Sequence, residues 1–150
     1  MLHARGSKSR GDSLWNVLVV DDEVQVLKAL RRALEDDFNV FAEQNIDDAL
    51  ERLRGREIDV VISDYRLEGS RTGIDLFEEL KSRGIHTINI LLTGKADVQM
   101  GVDAVNRASI YRIVLKPWDD DKLIDMIKTV LEKREAIRRR PISLDELKSE

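Results

Sequence analysis

The chain has 150 residues, enough for one domain with a real core and too few for two ordinary ones. Hydrophobic residues at 42% allow folding, charged residues at 36% favour solubility, and a net charge of −4 argues against general affinity for nucleic acid. The absence of cysteine excludes a disulfide scaffold, thiol catalysis and cysteine-ligated zinc. No apolar run approaches a membrane span or a signal-peptide core, so a cytoplasmic protein without a membrane partner is expected.

Residues 1–13, MLHARGSKSRGDS, hold almost nothing to bury and read as a disordered tail. Patterned sequence starts at Leu14. Apolar runs rich in branched residues follow at Val17–Val20, Phe38–Ala42, Ile58–Ile62, Ile88–Leu92 and Ile110–Leu115, each a candidate strand. Between them lie segments with helical spacing. Val24, Leu27, Leu30, Ala33 and Leu34 make one face, and Ala49, Leu50 and Leu53 a second. Ile74, Leu76, Phe77 and Leu80 make a third, stopped by Gly84 as a C-terminal cap. Val98, Met100–Val102 and Val105 form a weaker helix, and Leu123, Ile124, Ile127, Val130 and Leu131 a long final stripe. Five strand–helix alternations are the pattern of a parallel sheet covered on both faces, an α/β domain over 14–134.

After Leu131 the sequence turns to EKREAIRRRP, and residues 135–150 read as a helical extension or the start of a linker to an output module. Pro141 should end the helix, and Ser143 with Glu146 resembles a capping box. Arg138, Arg139 and Arg140 suit a solvated helix end, where cations complement the dipole; without interleaved aromatics they do not argue for direct nucleic-acid binding.

Ligands of open parallel sheets sit beyond the carboxyl ends of the strands. The first run ends in Asp21, Asp22 and Glu23, the third in Asp64, the fourth in Thr93 and Gly94, and the fifth in Lys116 before Pro117. Two carboxylates about 4 Å apart repel by about 4 kcal/mol near a protein surface, so something must offset the cluster. Asp21, Asp22 and Asp64 offer the hard oxygens that magnesium prefers, and a divalent ion together with Lys116 balances their three charges. A carboxylate nucleophile, a divalent ion, a lysine and a hydroxyl are the parts needed to form an aspartyl phosphate.

Each part also has a bland role: Asp22-Glu23 capping the next helix, Thr93-Gly94 a turn, Lys116-Pro117 a loop, Asp64 a turn residue. Four complementary strand ends arising by chance are harder to accept.

At these residues the chain resembles the receiver domains of two-component response regulators, the CheY-like family, over about Trp15 to Arg134. The resemblance implies a flavodoxin-like (βα)5 fold, doubly wound, with five parallel strands in the order 2-1-3-4-5. It implies that Asp64 accepts a phosphoryl group from a histidine kinase or phosphotransfer protein, with Mg2+ held by Asp21, Asp22, Asp64 and the backbone carbonyl of Arg66. Thr93 and Lys116 would contact phosphoryl oxygens, Gly94 would leave them room, and the Lys116-Pro117 bond would be cis. Phosphorylation would then act on a face formed by the fourth helix, fifth strand and fifth helix, where a partner or a second copy could dock.

Three features depart from the family. The loop YRLEGSRTGIDL lacks the usual proline and carries one extra residue before Gly73. Ile113 stands where the family has a switching aromatic, and Tyr111, on the same strand face, is a candidate substitute. Arg66 and Lys95 flank the acceptor; two long cations there predict slow autodephosphorylation.

Other functions fit less well. Aspartyl-phosphate phosphatases place an acid two residues after the nucleophile, where this chain has Arg66. A flavin or nucleotide binder needs glycines or hydroxyls after the first strand, where this chain has three acids. A phosphorylation-independent pseudo-receiver, acting only as a protein-binding module, is the alternative.

Overall fold

A computed structural model describes residues 9–10 and 13–139 of the chain. Its centre is a parallel sheet of five strands: β1 (Asn16–Val20), β2 (Asn39–Glu43), β3 (Val60–Asp64), β4 (Ile88–Thr93) and β5 (Ile110–Leu115). Their spatial order is β2-β1-β3-β4-β5, as the resemblance implies. The chain leaves β1 in one direction for β2 and returns past it to β3. The order therefore reverses between β1 and β3, and a crevice opens there at the strand ends.

The helices are α1 (Val24–Leu34), α2 (Ile46–Gly55), α3 (Gly73–Ser82), α4 (Val98–Ala104) and α5 (Asp120–Arg139), with a 3-10 turn at Lys95–Asp97 before α4. Alternation along each strand divides the core. Val17, Val19, Val60, Ile62, Ile90 and Leu92 pack with α1 and α5, whereas Leu18, Val20, Val61 and Leu91 pack with α2, α3 and α4. Both faces are buried, which is why the strands read as continuous apolar runs.

Local chemistry fixes the helix ends. Asn45 accepts the Asp48 N–H at 2.8 Å and starts α2, and Thr72 and Asp75 form a reciprocal capping box on α3. Gly84 ends α3 as expected: at φ +71° it lets its own N–H reach the Lys81 carbonyl and the Ile85 N–H the Leu80 carbonyl.

At the opposite edge of the sheet from the strand ends, buried charges tie α5 down. Arg134 donates to Asp59 at 2.6 Å, while Asp59 also accepts the Asn16 N–H, and Lys128 pairs with the fully buried Asp37 at 2.8 Å.

Several expectations shift. Phe38 and Ile58 are buried but precede their strands, which begin at Asn39 and Val60. In α4 the buried residues are Gly101 and Ala104, while Met100 and Val102 are exposed. A Cβ on Gly101 would come within 2.8 Å of Leu91 and 3.0 Å of Ile113, so small residues let this short helix sit close on the sheet. Of the tail expected at 1–13, Ser9–Arg10 pairs antiparallel with Ser13–Leu14, and the remainder lies outside the described residues. α5 runs on past 134 to Arg139, in keeping with a helical extension there; Arg140, Pro141 and the Ser143–Glu146 segment lie outside the described residues.

Candidate functional site

The site is built at the switch point. β1 delivers Asp21 and β3 delivers Asp64, side by side because the two strands pair directly, Val20 opposite Ser63. Asp21 is 1% exposed and Asp64 7%. One Asp21 oxygen, Oδ1, accepts the Glu23 N–H at 2.8 Å, so Asp21 orders the entry into α1. Glu23 is the N-cap residue but caps nothing with its side chain, and the Asp22 carboxylate stands exposed at the rim. The two acids after Asp21 are thus free of the capping role open to them.

Lys116 comes just after β5, at the far edge of the sheet. Its N–H donates to the Thr93 carbonyl at 2.9 Å, and its ammonium reaches back across β4 to hydrogen-bond Asp64 Oδ1, with Asp21 Oδ2 at 3.9 Å. Burial works to lower the Lys116 pKa, but the hydrogen bond and charge of Asp64, backed by Asp21 and Glu23, outweigh it and hold the ammonium above its ordinary value. The Lys116-Pro117 peptide is cis, as expected.

Asp21 carries the electrostatic cost of this arrangement. Burial, then the nearby charges of Asp64 and Asp22, push its pKa from 3.8 up to about 6, against the opposing pull of the Glu23 N–H and Lys116. Its Oδ2 atom is buried without a hydrogen-bond partner. A buried carboxylate oxygen lacking a donor is a place for a cation. Among the described residues no three His, Cys, Asp or Glu side chains are gathered as a complete cage. The donor set suits magnesium, which binds through one or two carboxylates and keeps several waters.

Thr93 ends β4 at 1% exposure, and its hydroxyl donates only a long bond, 3.3 Å, to the Gly94 carbonyl. A Cβ built on Gly94 meets nothing within 4 Å, so the site is open on that side. Gly73 closes another side. A Cβ there would collide with the Asp64 carbonyl oxygen and lie 2.8 Å from Ser63 Oγ, so only glycine lets α3 begin against the end of β3.

The loop after Asp64 is closed by a backbone bridge between Arg66 and Thr72, with Gly69 at φ +80° in the bend and Leu67 buried. The Arg66 N–H donates to Asp64 Oδ2 at 2.9 Å. Its guanidinium turns to Asp97, with Nε to Oδ2 at 2.6 Å and Nη2 to Oδ1 at 3.0 Å. The Asp97 hydrogen bond, then its charge, raises the Arg66 pKa. Lys95 is exposed. Asp97 carried no signal in the sequence: it becomes legible only once the 3-10 turn brings it opposite Arg66.

Ile113 packs under Gly101 of α4, half-buried against the core. Tyr111 is 43% exposed on the edge strand, with the Arg112 guanidinium 5.3 Å from its ring centre, and is not packed with Ile113 against α4. The structure therefore brings together Asp21, Asp64, Thr93 and Lys116, sets Asp22 at the rim, and leaves Tyr111 outside.

A doubly wound sheet whose switch point gathers buried carboxylates, a hydroxyl and a lysine defines a flavodoxin-like domain with an acidic pocket. The chain belongs to the response regulator receiver domain family, whose model matches residues 17–128. It is 36% identical over 121 residues to the hydrogenase transcriptional regulatory protein HoxA of Cupriavidus necator, covering 81% of this chain and 25% of that protein. It is 32% identical over 129 residues to the C4-dicarboxylate transport transcriptional regulatory protein DctD of Pseudomonas aeruginosa, covering 84% and 27%. The chain thus spans about a quarter of the length of these curated relatives. Among solved structures it is similar to the signal receiver domain of an HD domain-containing protein from Pseudomonas fluorescens Pf-5, with a TM-score of 0.76, 31% identity, and 85% and 94% of the two chains covered. It is a receiver domain of two-component signalling, and no helix of the described residues is long and apolar enough to cross a membrane.

Proposed function

We propose that Asp64 is the phospho-acceptor, taking a phosphoryl group from the phosphohistidine of a kinase or phosphotransfer protein. An Asp64 oxygen forms a bond to phosphorus as the donor's N–P bond breaks, and the imidazole nitrogen leaves with the electron pair and takes up a proton. The observation that carries this is the buried Asp21 carboxylate with an unpartnered oxygen, beside an acceptor already held by Lys116 and the Arg66 N–H. Asp21, Asp22, Asp64 and the Arg66 carbonyl would hold Mg2+, which when bound supplies neutralising charge at the phosphoryl oxygens.

Lys116 offers the remaining N–H groups of its ammonium to the incoming phosphoryl group. Thr93 holds its hydroxyl by one weak bond, so it is available to donate to a phosphoryl oxygen; its movement would be felt at α4 through the intervening 3-10 turn. The face formed by α4, β5 and α5, with Val102, Tyr111 and Leu115 exposed, is the surface on which a partner or second copy would read the change. The chain works in the cytoplasm and passes its state to an output module or a separate target.

Borohydride reduction, which converts an aspartyl phosphate to homoserine, tests the site after treatment with acetyl phosphate and Mg2+. Homoserine at position 64 is expected; homoserine at another aspartate refutes the assignment.

A further inference from the structure

We infer that a cleft at the base of the sheet, at the opposite end of the strands from Asp64, binds a small organic carboxylate through a cationic rim and an apolar floor. The inference stands independently of the role proposed for Asp64.

The cleft encloses about 200 Å3 and opens where β3 and β4 begin. Distant parts of the chain meet at its rim: Arg56 just after α2, His86 just before β4, and Arg134 and Arg138 on α5. Leu53 and Ile58 form the floor, 8% and 6% exposed, with the half-buried Ile85 beside them.

The charge of the rim is not balanced within the described fold. Two acids line the cleft, Glu57 and Asp59. Asp59 is already engaged, taking Arg134 Nη2 on Oδ1 at 2.6 Å and the Asn16 N–H on Oδ2 at 2.8 Å. Among the described residues no carboxylate pairs with Arg56, His86 or Arg138, and Arg56 only stacks over the Phe41 ring at 4.7 Å. Arg134 is held with a donor left over. Its side chain is 17% exposed, Asp59 fixes the Nη2 end, and the buried Nε has no hydrogen-bond partner. A buried donor without an acceptor costs stability, so an oxygen brought to it is favoured.

Cations often gather at helix C-termini to complement the dipole, and Arg138 stands at that of α5. That role does not account for the others. Arg56 has left α2 in extended backbone, His86 lies in the α3–β4 connection, and Arg134 sits more than a turn inside α5.

Guanidinium groups hold a carboxylate through paired N–H donors. An inorganic anion would use the rim and leave the floor wet. A carboxylate with a short hydrocarbon tail uses both, because the tail leaves water against Leu53, Ile58 and Ile85. Bound there, it ties the last turns of α5 to the starts of β3 and β4.

The probes are acetate, butyrate and hexanoate, titrated into the protein without Mg2+ at constant ionic strength and followed through the backbone amides by NMR. Saturable shifts are expected at Ile58, at Ile85 to Thr87 and at Arg134 to Arg138. Affinity should rise by about two- to fourfold for each added methylene, the gain expected from burying it. Arg56→Ala and Arg138→Ala, both at exposed positions, should each weaken hexanoate by about tenfold, the loss of one charge-assisted contact. Hexylamine, with the same tail and the opposite charge, should not bind.

Four results would overturn the inference. They are no saturable shift at these amides, an affinity independent of tail length, unchanged binding in both variants, and shifts confined to Thr93, Gly94 and Lys116 at the other end of the sheet. Independence of tail length would mark the base as a plain basic patch.

Discussion

Replacing Asp21 by asparagine should stabilise the metal-free protein at neutral pH. Asp21 is buried, faces Asp64, and is pushed from 3.8 to about 6. A carboxyl raised in the folded state is tolerated while protonated and costs stability once the pH rises through the interval between its unfolded and folded values. A rise of that size corresponds to about 3 kcal/mol, absent near pH 4 and fully present above about pH 6. Asparagine removes the charge and keeps an oxygen for the Glu23 N–H, and the attraction of Lys116 at 3.9 Å is already counted in that net rise. The net gain at pH 7 should therefore be about 1–3 kcal/mol, or a few degrees in Tm for a chain of this size.

The assay is urea unfolding of wild type and Asp21→Asn from pH 4 to 8, with and without Mg2+. Without metal the variant should be the more stable above pH 6, with the difference vanishing toward pH 4. Mg2+ should stabilise wild type and do much less for the variant. A variant less stable than wild type at pH 7, or a stability gap independent of pH, would refute the electrostatic account of the pocket.

Other variants probe single contacts. Gly73→Ala must push a Cβ against the Asp64 carbonyl, and chemical unfolding should show a loss of about 1–3 kcal/mol. Arg134→Ala removes a charge partner of buried Asp59 and should cost about 3 kcal/mol in the same assay. A chain covering 14–134 should retain wild-type stability because that pair is kept, whereas ending it at 133 should not. Lys116→Ala should slow phosphoryl transfer from acetyl phosphate by about a hundredfold, measured as the initial rate of mass gain, since the ammonium is the side-chain cation on Asp64.

The strands were legible because a sheet buried on both faces demands unbroken apolar runs, and Val60, Val61 and Ile62 supply one whatever their partners. The proposed site was legible for a related reason. Parallel strands all end at one edge, so the residues at the carboxyl end of each apolar run point to Asp21, Asp64, Thr93 and Lys116 without coordinates.

What the sequence hid depends on long-range pairing or on small residues. Asp59 stood inside an apolar run with no sign of Arg134, 75 residues away, and Arg66 gave no hint of Asp97. In α4 the large residues Met100 and Val102 suggested a buried face, but Gly101 and Ala104 make it, because a helix lying close on a sheet buries its smallest side chains. Alternation put Tyr111 on the strand face of Ile113, but Asn89 pairs with Ile110 and Ile90 with Arg112, so Tyr111 is the extra residue of an irregularity on the edge strand and stays in solvent.

The central claim is tested most directly by intact mass after incubation with acetyl phosphate, with and without Mg2+, on wild type and Asp64→Asn. A magnesium-dependent gain of one phosphoryl group in wild type, absent from the variant, is expected. No gain in folded, magnesium-binding wild type, or an equal gain in Asp64→Asn, would contradict the assignment of Asp64 as the acceptor.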